Sequence, residues 1–172
     1  DNVAPAILGG IISGVVKKGE DFKYIKIKPP KNLKAVVSIP NFYLSTETAR
    51  NILPKEIKRA DAIFNISRAA LLTSALFSNR LDLLEIATED KIHQDYRAKF
   101  IPNLNELFKE TKKAGAYSTT ISGAGSSILA LVKDDKKIIE KVSNAMHSSF
   151  KKKNVESVIK VLNIPSKGLI II

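Results

Sequence analysis

The sequence predicts an α+β fold, an antiparallel sheet with helices on one face, and three observations predict it. The last third, residues 117–162, alternates as strand, turn, strand, helix and strand. Ahead of it, Ile57, Ala60, Ile63, Phe64, Leu71, Leu72, Ala75 and Leu76 recur at helical spacing. Near the start, two β-rich runs at 22–27 and 33–39 close on Pro29-Pro30 and on Pro40. A chain of 172 residues, 44% of them hydrophobic, is long enough to bury a core.

Taken in order, residues 2–16 read as a small-residue helix. Pro5 sits in its first turn, and Gly9, Gly10 and Gly14 let another backbone approach closely. The strands at 22–27 and 33–39 are expected to pair through a turn at 29–32. Ser45 or Thr46 caps a short helix that runs through Asn51, and Pro54 opens a long core helix to about residue 78. Helices over 80–88 and 104–113 bracket an irregular polar stretch at 89–102. Strands at 117–121 and 128–132 flank a glycine turn at 122–127. The helix at 134–150 turns Ile138, Ile139, Val142, Met146 and Phe150 inward. Strands at 155–162 and 168–172 complete the chain, which holds no repeat and no low-complexity tract.

Composition removes several classes. The absence of cysteine excludes disulfides and thiolate metal sites, and two histidines do not make a histidine-rich centre, so no metal ligand is assigned. No apolar run approaches the roughly 20 residues of a membrane-spanning helix, and no segment has the order of a signal peptide. A cytoplasmic protein with no membrane partner is expected. Lys and Arg number 28 against 17 Asp and Glu, a net charge of +11. The lysines are scattered, and their densest run, Lys151 to Lys153, has no interleaved aromatics, so it reads as a solvated face and nucleic acid is not an expected partner. The same positive field suits a substrate carrying phosphates.

Two signals carry chemistry. In residues 120–127 (TISGAGSS), the turn between two apolar strands exposes backbone N–H groups, and Ser122, Ser126 and Ser127 add hydroxyls. Such turns are often only turns. No Gly-x-Gly-x-x-Gly opens a helix after a strand, and no Walker loop occurs. Arg50 and Arg97 each present a planar fork of donors suited to a carboxylate or a phosphate, or equally to a surface ion pair. His93, three residues from Tyr96 and four from Arg97, reads either as an acid or base or as a structural hydrogen-bonding group. His147, near a helix C-terminus, complements the helix dipole.

Five separated blocks carry a resemblance to a known family. They are DNVAPA at 1–6 with Leu8-Gly9-Gly10, LSTETAR at 44–50, NISRAALLTSAL at 65–76, DKIHQDYRAKFIP at 90–102 and the turn at 120–127. In order and spacing the chain resembles the homoserine kinases of the GHMP small-molecule kinase family. The resemblance implies a ferredoxin-like C-terminal domain over residues 31–172, with residues 1–30 a remnant of the N-terminal ATP-binding domain. It implies phosphoryl transfer from ATP, with Mg²⁺, to the side-chain hydroxyl of L-homoserine. It places Asn2 beside the acceptor hydroxyl, and Arg50 and Arg97 on the amino acid's carboxylate or the transferring phosphoryl group. Asn2 and Arg50 are thereby the expected catalytic residues, and Asp1, Asn2, Arg50, Arg97, Gly123 and Gly125 the expected substrate-binding ones.

The chain begins without Met, and the family's phosphate loop and Mg²⁺-holding acid belong upstream of Asp1. A fragment is therefore expected, inactive by itself, with ATP and Mg²⁺ bound mainly by the other half and with room for a homodimer. The rival readings are a mevalonate-pathway GHMP kinase, a non-catalytic amino-acid-binding module of ferredoxin-like fold, and a basic nucleic-acid binder.

Overall fold

The computed structural model describes residues 3–170. At the start, helix α1 (Val3–Leu8) stops where Gly9 and Gly10 enter left-handed conformations, at φ 67° and 74°. Strand β1 (Ile11–Val15) then pairs antiparallel with β2 (Lys23–Ile27), Ile11 opposite Ile27 and Val15 opposite Lys23. The helix expected over 2–16 is thus a short helix and a strand, because consecutive glycines break it. The expected close approach does occur. A Cβ on Gly9 would lie 2.3 Å from the backbone carbon of Lys167, and one on Gly14 would lie 2.6 Å from the ring of Phe22.

Strand β3 (Leu33–Pro40) pairs with β5 (Ile128–Lys133) and β6 (Ser157–Asn163), and β4 (Ser118–Ile121) pairs with β5. The sheet order is β4-β5-β3-β6, antiparallel throughout. That order and the helix before each outer strand are the ferredoxin-like split βαβ arrangement. β2 does not pair with β3, contrary to the expected hairpin. Five of the eight residues of β3 are buried, and a strand so enclosed takes a neighbour on each side from the later part of the chain.

Helices α2 (Thr46–Asn51), α3 (Arg59–Phe77), α4 (Leu84–Ala87), α5 (Gln94–Arg97) and α6 (Leu104–Lys113) lie between β3 and β4, and α7 (Lys136–Lys151) lies between β5 and β6. α6 and α7 cover one face of the sheet. There Val36, Ile121, Ile128, Ala130 and Val132 pack with Leu107, Val142, Met146 and Phe150. The alternate residues Leu33 and Leu131 face Ala75 and Leu76 of α3 and Leu84 of α4, as the two-residue period of a strand requires.

α3 departs from expectation twice. It begins at Arg59, not Pro54, since Lys58 before it is extended and no side chain caps it. It is buried only at Ala75 and Leu76, while Ile63 is 56% exposed. Helical periodicity revealed an apolar stripe, but not that its first part, Ile57, Ala60 and Ile63, would stay exposed. The strand expected over 168–172 is absent from its described part, where Leu169 instead donates a 3.2 Å bond to the Ile7 carbonyl. Among the described residues no helix is long and apolar enough to cross a membrane.

Candidate functional site

The end of β4 and the start of β5 are joined by a tight loop. Ser122 N–H donates to the Ser127 carbonyl at 2.8 Å, and Gly125 N–H donates to the Ser122 carbonyl at 3.0 Å. Gly123 holds φ 58° and Gly125 φ 96°, values that favour residues without a Cβ. Around Gly123 a Cβ would meet no atom within 4 Å, so this edge of the turn is open. The N–H groups of Gly123 and Ala124 take no backbone partner among the described residues. Ser126 Oγ fixes the far side of the loop by donating to the Phe42 carbonyl at 2.8 Å.

α2 and α5 bring the cations. Ser45 caps α2, its side chain accepting from Thr48 N–H at 2.9 Å, and Arg50 sits in the last turn, where the helix dipole favours a positive charge. Arg97 sits in the last turn of α5 and ties three segments together. Its Nε donates to the Ala49 carbonyl of α2 at 3.2 Å, and its Nη1 donates to the Gly123 carbonyl at 3.0 Å. No carboxylate among the described residues pairs with Arg50 or Arg97.

A cleft of about 720 Å³ opens between these parts, lined by Arg50, His93, Arg97 and the 122–125 turn, with Thr46 and Thr120 beside them. Four residues expected to bind substrate, Arg50, Arg97, Gly123 and Gly125, therefore meet in one cavity. Asp1 and Asn2, the other two, lie outside the described residues. Two further clefts, of about 670 and 520 Å³, hold neither Arg50 nor Arg97. His93 joins the site, its Nδ1 3.2 Å from an oxygen of Asp90. His147 does not: its ring lies 3.4 Å from Ser157 Oγ, between α7 and β6.

Two residues of the site escaped the reading of the sequence. Asp90 and Gln94 line the cleft, and both work through hydrogen bonds to backbone. Gln94 donates to the Thr88 carbonyl at 3.3 Å and accepts from Ile121 N–H at 2.8 Å, which stitches α5 to the end of β4. The Asp90 carboxylate accepts from the N–H of His93 at 2.8 Å, from the N–H of Gln94 and from Asn65 Nδ2. Burial pushes the Asp90 carboxyl up, and the bonds from Gln94, Asn65 and His93 outweigh it, so the group lies below the usual carboxylate range. Asp90 lies four residues ahead of α5, whose N-cap position is His93, so the usual N-cap pattern does not single it out.

Chemically, two guanidinium forks, a histidine and a loop with open amides form a site for an anion that also carries hydrogen-bonding groups. Among the described residues no group of three His, Cys, Asp or Glu is placed to hold a metal ion.

Comparison with known proteins agrees with the fold and the motifs. Residues 70–152 match the family described as GHMP kinases C terminal. The homoserine kinase of Persephonella marina is 44% identical over 168 residues, which cover 98% of this chain and 55% of that protein. That of Halothermothrix orenii is 39% identical, covering 99% of this chain and 54% of the relative. The chain thus spans about half the length of the curated relatives it matches. The crystal structure of homoserine kinase from Cytophaga hutchinsonii superposes with a TM-score of 0.88 at 31% identity, covering 96% of this chain and 52% of that one. By its ferredoxin-like sheet, the match over 70–152 and relatives along almost its whole length, this chain belongs to the GHMP kinase family.

Proposed function

We propose that the protein to which this chain belongs is an ATP-dependent homoserine kinase, transferring the γ-phosphoryl group of ATP to the side-chain hydroxyl of L-homoserine, in the cytoplasm and on the route to threonine. The observation that carries the reading is the convergence of Arg50, Arg97, His93 and the 122–125 turn on one cleft, in a chain related to homoserine kinases over 98% of its length. The arginines hold the amino acid's carboxylate or the transferring phosphoryl group, and the open amides of Gly123 and Ala124 complete the anion site. Asp1 and Asn2 serve the acceptor hydroxyl.

Residues 1–30 belong to the ATP-binding domain and residues 31–172 to the C-terminal domain. ATP and Mg²⁺ are held mainly by the part of the relatives that this chain does not span. Phosphoryl transfer depends on positioning and charge stabilisation, so the 172 residues alone do not turn the acceptor over.

Thermal melting tests the reading. L-homoserine raises the midpoint of the protein by mass action, and (R)-mevalonate at equal concentration does not. Full-length protein then consumes ATP only when L-homoserine is present. Equal stabilisation by the two acceptors, or ATP consumption with mevalonate and not with homoserine, replaces this reading with that of a mevalonate-type kinase.

A further inference from the structure

α5 is only four residues long, and a helix that short does not hold its own position. Yet it carries both Arg97 and Gln94, which fasten the cleft's three walls. What fixes α5 lies at its start. The Asp90 carboxylate accepts from Gln94 N–H, from His93 N–H at 2.8 Å and from Ile92 N–H at 3.3 Å, and its Oδ1 lies 3.2 Å from His93 Nδ1. Asn65, on the long helix α3, donates to the same carboxylate through Nδ2, and its Oδ1 accepts from Lys91 N–H at 2.9 Å. One amide side chain therefore grips positions 90 and 91 at two points.

Both oxygens of Asp90 are fully engaged, so this residue has no lone pair left to offer a ligand. Its influence runs through what it holds. We propose that Asp90, anchored by Asn65, is a positioning residue for the acceptor cleft: the pair fixes where α5 begins against α3, and so places Arg97 between Ala49 and Gly123. A simple helix cap would stabilise α5 without setting its height on α3. The Asn65 contact is the part that a cap does not need, and it carries the inference. A shift of about 1 Å in a group that orients substrate is enough to cost on the order of a hundredfold in rate.

The proposal rests on the reading that this cleft takes the amino-acid acceptor, so its test has two readouts in the full-length protein. Asp90→Ser keeps a hydroxyl oxygen and loses the side-chain half of the link to α3, and Asn65→Ala removes both contacts while leaving the Asp90 carboxylate on α5. Both are expected to raise KM for L-homoserine about tenfold and to leave KM for ATP within twofold. The double variant should be no worse than the more impaired single, because both changes break one link. Independently of any substrate, hydrogen exchange at Arg97 Nε, followed by ¹⁵N NMR, should speed at least tenfold in both variants.

Asn65→Ala with unchanged Arg97 exchange overturns the proposal. So does a parallel rise in both KM values that tracks a fall in melting midpoint, which would make the link a stability element only. A wild-type protein that ignores homoserine sinks the functional reading, and the exchange measurement still decides the positioning role.

Discussion

Arg97 and Arg50 divide the proposed anion site unequally. Arg97 already donates two bonds to carbonyls of separate segments, so beside its proposed role toward the ligand it is a clamp. Lysine keeps the charge but cannot span two carbonyls with a planar fork. Arg97→Lys is expected to raise KM for homoserine roughly ten- to a hundredfold, since a hydrogen bond to a charged group is worth about 1.5–3 kcal/mol. Steady-state kinetics at fixed ATP would check it, and an unchanged KM would remove Arg97 from the site. The two turn glycines also differ. At Gly125, with φ 96°, a Cβ would sit 3.4 Å from both Ile121 and Leu44, whereas at Gly123 it meets open cleft. Gly125→Ala should therefore lower the melting midpoint, by a cost of about 1–2 kcal/mol for a left-handed alanine. No fall in that midpoint would show that the turn relaxes.

Elements here are held by two kinds of terminus, and the sequence reveals one kind better than the other. α7 has a local cap, with Asp135 accepting from Lys137 N–H at 2.9 Å and Ile138 N–H at 3.1 Å. Its apolar stripe and its boundaries were legible because cap and stripe lie within one turn of each other. Asp135→Ala should cost about 1 kcal/mol, read as a lower urea midpoint with unchanged slope. α5 has a cap too, but its anchor, Asn65, is far away in sequence. No local pattern announces such a partner, which is why Asp90 and Gln94 were passed over. α1 and β1 show the opposite failure. A small-residue run suggested one helix, and the positive φ of Gly9 and Gly10, set by their packing against 165–168 and β2, divided it.

Across the molecule, the response of the site to acid is expected to follow Asp90. Asp90 has a carboxyl depressed in the folded state, so it contributes stability that is present above its unfolded value of about 3.9 and lost as pH falls through the folded value. Stabilisation by homoserine is thus expected to be constant from about pH 7 to 5 as far as Asp90 is concerned, and to be lost only as pH falls through the depressed folded value of Asp90, below the usual carboxylate range. Melting with and without the amino acid at each pH would show it, and a loss between pH 7 and 5 would show that Asp90 does not set the acid limit of the site. Asp82 and Glu110 are also depressed, but by exposed partners Arg80 and Lys113, and contribute little at ordinary salt. At the same scale, α3 leaves the apolar residues Ile63, Ile66 and Phe77 exposed.

The sequence by itself determined the α+β class, most of the later strands and helices, and four residues of the cleft, because each is written in a local code: period two, period 3.6, caps, a glycine turn and forked cations in recurring blocks. Only the tertiary structure decided that β3 joins β5 and β6 in place of β2, that α3 is fully buried only at Ala75 and Leu76, and that Asp90 and Gln94 bond to the backbone around α5. Those outcomes depend on which surfaces meet, and contacts between distant segments leave no spacing for a sequence to display.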